Sequence, residues 1–113
     1  MEKPLLAVIE TKAYLADARR IMDDDERAAV IDLIAANPTC GDLIVGSGGV
    51  RKVRIGAGGK GKRGGARVIY YFHNMNYPAL LLAVYPKSER TDLSTDQLAV
   101  LANFVKAMKG IWR

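Results

Sequence analysis

Acidic side chains are missing from the middle of this sequence, where residues 43–88 contain no Asp or Glu. The same 46 residues hold eight cations, which are Arg51, Lys52, Arg54, Lys60, Lys62, Arg63, Arg67 and Lys87. Residues 1–42 show the opposite balance, with nine acids against five cations, and the whole chain has a formal charge of +5. Because a solvated surface normally mixes both signs, the acid-free segment indicates a surface that binds a polyanion such as nucleic acid.

Other absences exclude whole classes of protein. Cys40 is the sole cysteine, which excludes an intrachain disulfide or a cysteine-based zinc site, and a small buried side chain is its expected role. The longest apolar run, residues 79–85, is far shorter than the ~20 residues of a membrane helix. The amino-terminal segment turns polar too soon for a signal peptide. We expect a cytoplasmic protein that has no membrane association, no metal and no small-molecule cofactor.

The hydrophobic pattern predicts one α+β domain over residues 1–113. Strands are expected at residues 5–9, 50–55, 66–72 and 79–85, and helices at residues 12–22, 23–37 and 95–109. Thr11 is the expected cap of the first helix, and Ser94-x-x-Gln97 is a capping box for the last. The order β-α-α-β-β-β-α predicts a mostly antiparallel four-stranded sheet with all helices on one face, which leaves the other face without a helical layer.

Side-chain alternation concentrates the cations on one side of this sheet. Lys52 and Arg54 share a face of their strand and lie about 7 Å apart, whereas Arg51 points to the other face. Arg67 follows in the next strand, and Lys87 comes just after the third. If the hairpin register sets Arg67 on the side of Lys52 and Arg54, three or four cations converge on one patch. The acids are distant in sequence, and we expect none within this patch.

Glycine and cations alternate in the segment before the second hairpin strand. Nine of the eleven glycines fall between Gly46 and Gly65, and glycine allows a backbone to approach a phosphate chain closely. Lys60, Lys62 and Arg63 add charge there, so we expect a loop that becomes ordered on a nucleic-acid backbone. A nucleotide-binding P-loop is not expected, because Arg63 stands where that motif needs Ser or Thr and a strand follows instead of a helix.

The aromatic residues near these cations allow two interpretations. Tyr70 and Phe72 favour core packing, since their strand is apolar on both faces. Tyr71 and Tyr85 are balanced between the core and stacking on RNA bases, because alternation puts them near the cations. His73 is the sole histidine, and a turn or capping role for it is at least as well supported as catalysis.

Together these segments resemble the RelE/HigB family of toxins from toxin–antitoxin systems, and the HigB-like branch in particular. The resemblance covers nearly the whole chain and is most specific in GKGKRGGARVIYYF, residues 59–72, with further similarity in LLAVYPKSERTDLS, residues 81–94. It implies a ribosome-dependent endoribonuclease that cleaves mRNA in the A site, beside 16S rRNA. It also implies a cognate helix-turn-helix antitoxin that neutralises the toxin.

The resemblance further implies roles for individual residues. The basic positions of the family fall on Lys52, Arg54, Arg67 and Lys87, with Arg90 as the alternative to the last. Leu93 and Ser94 stand where some members have a substrate-stacking tyrosine, so that function is either absent or taken by Tyr71 or Tyr85. The His/Glu acid–base pair of some relatives has no match here.

A mechanism follows from these positions. The 2′-hydroxyl attacks the adjacent phosphate and leaves a 2′,3′-cyclic phosphate and a 5′-hydroxyl. Arg54 and Arg67 are the candidates to hold phosphoryl oxygens, because a guanidinium binds two oxygens at once, and Lys52 or Lys87 is the candidate base or acid. Contacts with RNA or the ribosome are expected from Arg51, Lys60, Lys62, Arg63, Tyr71, Tyr85 and Arg90. The main alternative is a non-catalytic ribosome- or RNA-binding module, and a DNA-binding regulator ranks third.

Overall fold

The computed structural model describes residues 5–56, 65–89 and 92–113. These residues form the elements β1 Val8–Glu10, α1 Lys12–Ile21, α2 Asp24–Ala36, β2 Asp42–Leu43, β3 Val50–Ile55, β4 Ala66–Tyr71, β5 Ala79–Pro86 and α3 Thr95–Ile111. The predicted contacts of Lys60, Lys62, Arg63 and Arg90, and most of the predicted glycine-rich loop, lie outside the described residues.

The strands form one mixed sheet in the order β1-β5-β4-β3-β2. β1 runs parallel to β5, and the other neighbours are antiparallel, so the predicted meander of β3, β4 and β5 is confirmed. The prediction of four strands is wrong by one, because Asp42 and Leu43 pair with Lys52 and Arg51 at the edge of the sheet. A two-residue strand is too short to show an alternating pattern in a sequence.

Local capping signals place the helix starts where the sequence predicts them. The Thr11 hydroxyl accepts the N–H of Tyr14 at the start of α1. Ser94 and Gln97 form the predicted capping box at the start of α3, and Asp23 and Glu26 form a second one at the start of α2. In the part of the chain that the structure describes, no helix has both the length and the apolar character to cross a membrane.

Helices cover both faces of the sheet. On one face α1 and α2 form a core with the strands, built from residues that include Tyr14, Ala18, Val30, Ile34, Val68, Tyr70 and Leu81. On the other face α3 forms a second core, built around Val50, Ile69, Tyr71, Tyr85 and Val105. The prediction that all helices lie on one face is therefore wrong. The reason is that β4 is apolar on both sides, and a strand of that kind needs a packed layer above and below it.

Tyr70 fastens the connector between α2 and β2 to the sheet. Its hydroxyl donates to the Pro38 carbonyl at 2.8 Å and accepts the N–H of Gly41 at 2.9 Å. A Cβ on Gly41 would lie 2.8 Å from the Tyr70 ring and 3.0 Å from the Lys52 carbonyl, so this approach requires glycine. Burial raises the pKa of Tyr70, which keeps the phenol protonated as a donor. The predicted core role of Tyr70 is confirmed.

Candidate nucleic-acid interface

The register between β3 and β4 brings three predicted cations together. Arg54 is the direct cross-strand partner of Arg67, and Lys52 is the partner of Ile69. Because cross-strand partners point to the same face and alternate residues share a face, Lys52, Arg54 and Arg67 lie together on the side of the sheet that α3 covers. We call these three residues the cationic strip. The predicted register is confirmed.

A glycine-rich turn sets the start of β3 and hence the position of the strip. The buried Ser47 hydroxyl donates to the Ile44 carbonyl at 2.7 Å and accepts the N–H of Val50 at 2.9 Å. Gly46 and Gly48 adopt φ angles of 82° and 81° in this turn, a conformation that favours glycine. The strand that follows therefore begins at Val50, which points into the α3-side core. Because side chains alternate along a strand, Lys52 and Arg54 point to the same face as Val50.

Arg67 is the member of the strip that lies on the middle strand of the sheet. It lies between Arg54 on β3 and Tyr85 on β5, in the middle strand of the sheet. Its Nη1 atom is buried and has no hydrogen-bond partner among the described residues. A buried donor of this kind is unfavourable until an acceptor reaches it. Arg67 thus keeps hydrogen-bonding capacity that the described residues do not use.

Among the described residues, an acidic side chain lies against the strip. Asp92 Oδ1 lies 3.3 Å from Lys52 Nζ and also accepts the N–H of Leu93 at 3.1 Å. The hydrogen bond from the Leu93 backbone and then the one from Lys52 lower the pKa of Asp92, and the charge of Arg67 acts in the same direction. The expectation that no acid lies within the basic patch is therefore wrong. Asp92 could have been found from its place just before the Ser94 cap, but only if α3 had been assigned to this face.

Lys87 lies beside one end of the strip, two residues beyond the cross-strand partner of Arg67, whereas Arg51 lies on the other face. The N–H of Lys87 donates to the Gly65 carbonyl at 3.0 Å, so the pairing of β4 with β5 continues past Pro86 and Lys87 stays beside the sheet. Arg51 points away from α3, and its Nη1 atom donates to the carbonyls of Gly41 at 2.8 Å and Thr39 at 3.3 Å. Arg51 therefore holds the same connector that Tyr70 fastens.

The rings of Tyr71 and Tyr85 form part of the core beneath α3, with exposed fractions of 1% and 5%. The Tyr71 hydroxyl and His73 Nδ1 are 2.7 Å apart, and burial raises the pKa of Tyr71. Its ring stacks on Trp112 near the end of α3 at a centroid distance of 6.4 Å. His73 contacts the same indole edge-on, so the end of β4 and the end of α3 are joined by aromatic packing.

Metal binding and small-molecule binding have less support on the described surface. Within residues 5–56, 65–89 and 92–113, no group of three or more His, Cys, Asp or Glu side chains could hold a metal ion. A groove of about 400 Å³ lies between α2 and β3, and its lining includes Leu33, Val53 and Arg54. This lining is mainly apolar, with Glu26, Cys40 and Arg54 as its polar members, whereas the cationic strip brings three like charges together.

The fold and the strip define a class of protein: a small α+β domain with clustered cations on one face of its central sheet. Residues 8–112 match the family model described as the RelE toxin of the RelE/RelB toxin–antitoxin system. The chain therefore belongs to the RelE toxin family, and it is a toxin of the toxin–antitoxin class. The family resemblance noted in the sequence is confirmed, whereas the HigB-like branch stays a prediction.

Proposed function

We propose that this protein is a ribosome-dependent endoribonuclease that cleaves mRNA in the A site and so stops translation. The single observation that carries this proposal is the convergence of Lys52, Arg54 and Arg67 on one sheet face, with Arg54 and Arg67 directly paired. Membership of a family of mRNA interferase toxins supports the substrate and the reaction type. A cognate antitoxin with a helix-turn-helix domain is the proposed neutralising partner.

The paired arginines suit the stabilisation of a phosphoryl transition state. Cross-strand partners carry their Cβ atoms about 4.5–5.5 Å apart, so the guanidinium groups of Arg54 and Arg67 can reach a single phosphate. In the reaction the 2′-oxygen bonds to phosphorus as the bond to the 5′-oxygen breaks, and negative charge grows on the other phosphoryl oxygens. Fixed donors at such oxygens contribute about 3–4 kcal/mol each to the barrier reduction.

A proton must leave the 2′-hydroxyl, and another must reach the departing 5′-oxygen. We assign one of these transfers to Lys52 or Lys87, the two amines beside the arginines, and orientation of the RNA to the ribosome. Base stacking is not assigned to Tyr71 or Tyr85, since both rings are buried. Contacts with the ribosome by Lys60, Lys62, Arg63 and Arg90 remain predictions from the sequence.

Replacement of Arg67 by alanine tests this function. Purified protein is added to translating ribosomes, and new mRNA 5′ ends are mapped together with their end chemistry. The native protein is expected to produce 5′-hydroxyl ends at the A-site codon, and Arg67→Ala to lower the cleavage rate by about 10²–10³-fold. Arg19→Ala is the matched control, because it removes the same charge from an exposed position on α1, on the opposite side of the sheet.

The experiment distinguishes a wrong assignment of Arg67 from a wrong enzymatic function. A folded Arg67→Ala protein that cleaves at the native rate removes Arg67 from the site. Native protein that leaves messages intact on ribosomes refutes the enzymatic function.

A non-catalytic ribosome-binding module is the second candidate. It is favoured by one observation, namely that the cationic strip includes no histidine, and its nearest acid, Asp92, is already paired with Lys52. Such a module would sediment with ribosomes and block elongation without creating new 5′ ends. The same mapping experiment distinguishes the two functions.

A further inference from the structure

The three positive charges of the cationic strip repel one another in the unbound protein. Arg54 and Arg67 are directly opposite each other, and Lys52 lies two residues from Arg54 on the same face. Like charges in opposite positions of a sheet destabilise it. A negative group near the strip relieves this repulsion.

Asp92 is the acid that the structure places there. Its carboxylate is 3.3 Å from Lys52 Nζ, and Arg67 is close enough to favour its ionised form. The position is fixed by the residues that follow it, because Leu93 packs against the α3-side core and Ser94 caps α3. A carboxylate oxygen thus lies where a phosphate oxygen bound to Lys52 would lie.

We propose that Asp92 is an internal counter-anion of the cationic strip, which occupies the place of a substrate phosphate and is displaced when RNA binds. This inference rests on the proposed function, because it takes RNA as the ligand of the strip. Asp92 acts through Lys52 and is a positioning residue. It keeps the amine over the strip in the unbound protein and competes with RNA for it.

The exposure of the pair fits an exchangeable contact. The side chain of Asp92 is 70% exposed, whereas that of Lys52 is 27% exposed. Ion pairs with one solvated member are weak and are screened by salt, so an RNA phosphate that also meets Arg67 can replace the carboxylate. A buried ion pair with all its hydrogen bonds made would instead be too stable for an RNA phosphate to displace.

Binding of a short, uncleavable 2′-O-methyl RNA to the isolated protein tests the inference. Fluorescence anisotropy at low salt is expected to show about two- to fivefold tighter binding by Asp92→Asn, the range that a surface ion pair accounts for. Asp92→Ser is a second neutral variant that keeps an oxygen for the Leu93 N–H, and it should behave alike. Asp92→Glu retains the charge and should restore the native affinity.

Glu89→Gln is the matched control for net charge. Glu89 is also an exposed acid after β5, but it pairs with Arg20 of α1 at 3.4 Å instead of with the strip. Its loss should leave RNA affinity nearly unchanged. In a Lys52→Ala background the effect of Asp92→Asn should largely disappear, since the partner of the carboxylate is gone.

Several results would overturn the inference. Equal tightening by Asp92→Asn and Glu89→Gln would show only an effect of net charge, and weaker binding by Asp92→Asn would show that the carboxylate assists RNA binding. The inference fails alone if the native protein cleaves mRNA on ribosomes while Asp92→Asn binds RNA no more tightly. The proposed enzymatic function fails alone if Asp92→Asn binds RNA more tightly but the native protein leaves ribosome-bound mRNA intact.

Discussion

Removal of one hydroxyl from Tyr70 gives a sharp test of how the connector before β2 is held. In Tyr70→Phe the Pro38 carbonyl loses its donor and the buried N–H of Gly41 loses its acceptor. An unsatisfied buried N–H costs about 1–3 kcal/mol, and loss of the second hydrogen bond adds about 0.5–1.5 kcal/mol. We expect the free energy of unfolding to fall by about 2–3 kcal/mol, because the Pro38 carbonyl is only partly buried and water can reach it.

The chain itself provides the matched control. Tyr14 is also fully buried, but its hydroxyl has no hydrogen-bond partner among the described residues. Tyr14→Phe therefore removes the same atom without breaking a hydrogen bond, and we expect stability to stay constant or to rise slightly. The contrast between the two variants separates the loss of hydrogen bonds from the loss of a buried oxygen.

Thermal and urea unfolding followed by circular dichroism measure this contrast. With an unfolding entropy of about 2.1 cal/mol/K per residue, a chain of 113 residues changes its Tm by roughly 4 °C per kcal/mol. Tyr70→Phe should therefore lower Tm by about 8–12 °C. Equal losses in the two variants, or a Tyr70→Phe protein as stable as the native one, would refute the assignment of the connector to the Tyr70 hydroxyl.

Two further predictions concern stability. Gly41→Ala should destabilise the fold by about 1–3 kcal/mol, because its Cβ would meet the Tyr70 ring and the Lys52 carbonyl. Gly110→Ala in α3 is the control, because its Cβ would meet nothing within 4 Å and the change should be neutral or stabilising. Urea unfolding that ranks the two variants the other way would contradict this prediction. Burial first, and the charge of Glu10 second, raise the pKa of Tyr14 from 10.0 to about 12. The folded state then holds the phenolic proton more tightly than the unfolded state does. The contribution of this proton to the free energy of unfolding is therefore complete below pH 10 and is lost as the pH rises towards 12. The native protein should therefore lose about 2–3 kcal/mol more of its free energy of unfolding between pH 10 and 12 than Tyr14→Phe does. If the free energy of unfolding of the two proteins falls in parallel over this range, the prediction is wrong.

The middle strand β4 connects the stability of the fold to the candidate site. Tyr70 on one of its faces holds the connector through Pro38 and Gly41, and Arg67 on the other face belongs to the cationic strip. A central strand with a neighbour on each side holds its side chains more rigidly than an edge strand or a loop does. The charge of Arg67 is therefore positioned in advance, which is the condition for electrostatic stabilisation of a transition state.

Much of the local structure is readable from the sequence because its causes lie within a few residues. Thr11 and Ser94 start their helices through hydrogen bonds to residues three positions away. The β3 boundaries, Val50–Ile55, match the prediction, since the turn residues before that strand are close in sequence. Even the pairing of Arg54 with Arg67 needs only a hairpin of the predicted parity.

The parts that sequence reasoning missed depend on contacts between distant segments. Leu43 pairs with Arg51 in a strand too short to have a pattern of its own. α3 could not be assigned to a face, because an amphipathic helix shows which of its sides is apolar but not which surface it covers. The burial of Tyr71 and Tyr85 follows from that one choice of face.

The sequence by itself determined the caps of the helices, the strands of the meander and the separation of charge that leaves residues 43–88 without an acid. Only the tertiary structure decided that α3 packs on the same face as the cationic strip and that Asp92, 40 residues from Lys52, meets its amine. Charge segregation is a property of the order of residues along the chain. The meeting of Lys52 with Asp92 depends on the path that the backbone takes after β5, which the packing of Leu93 and α3 against the sheet fixes.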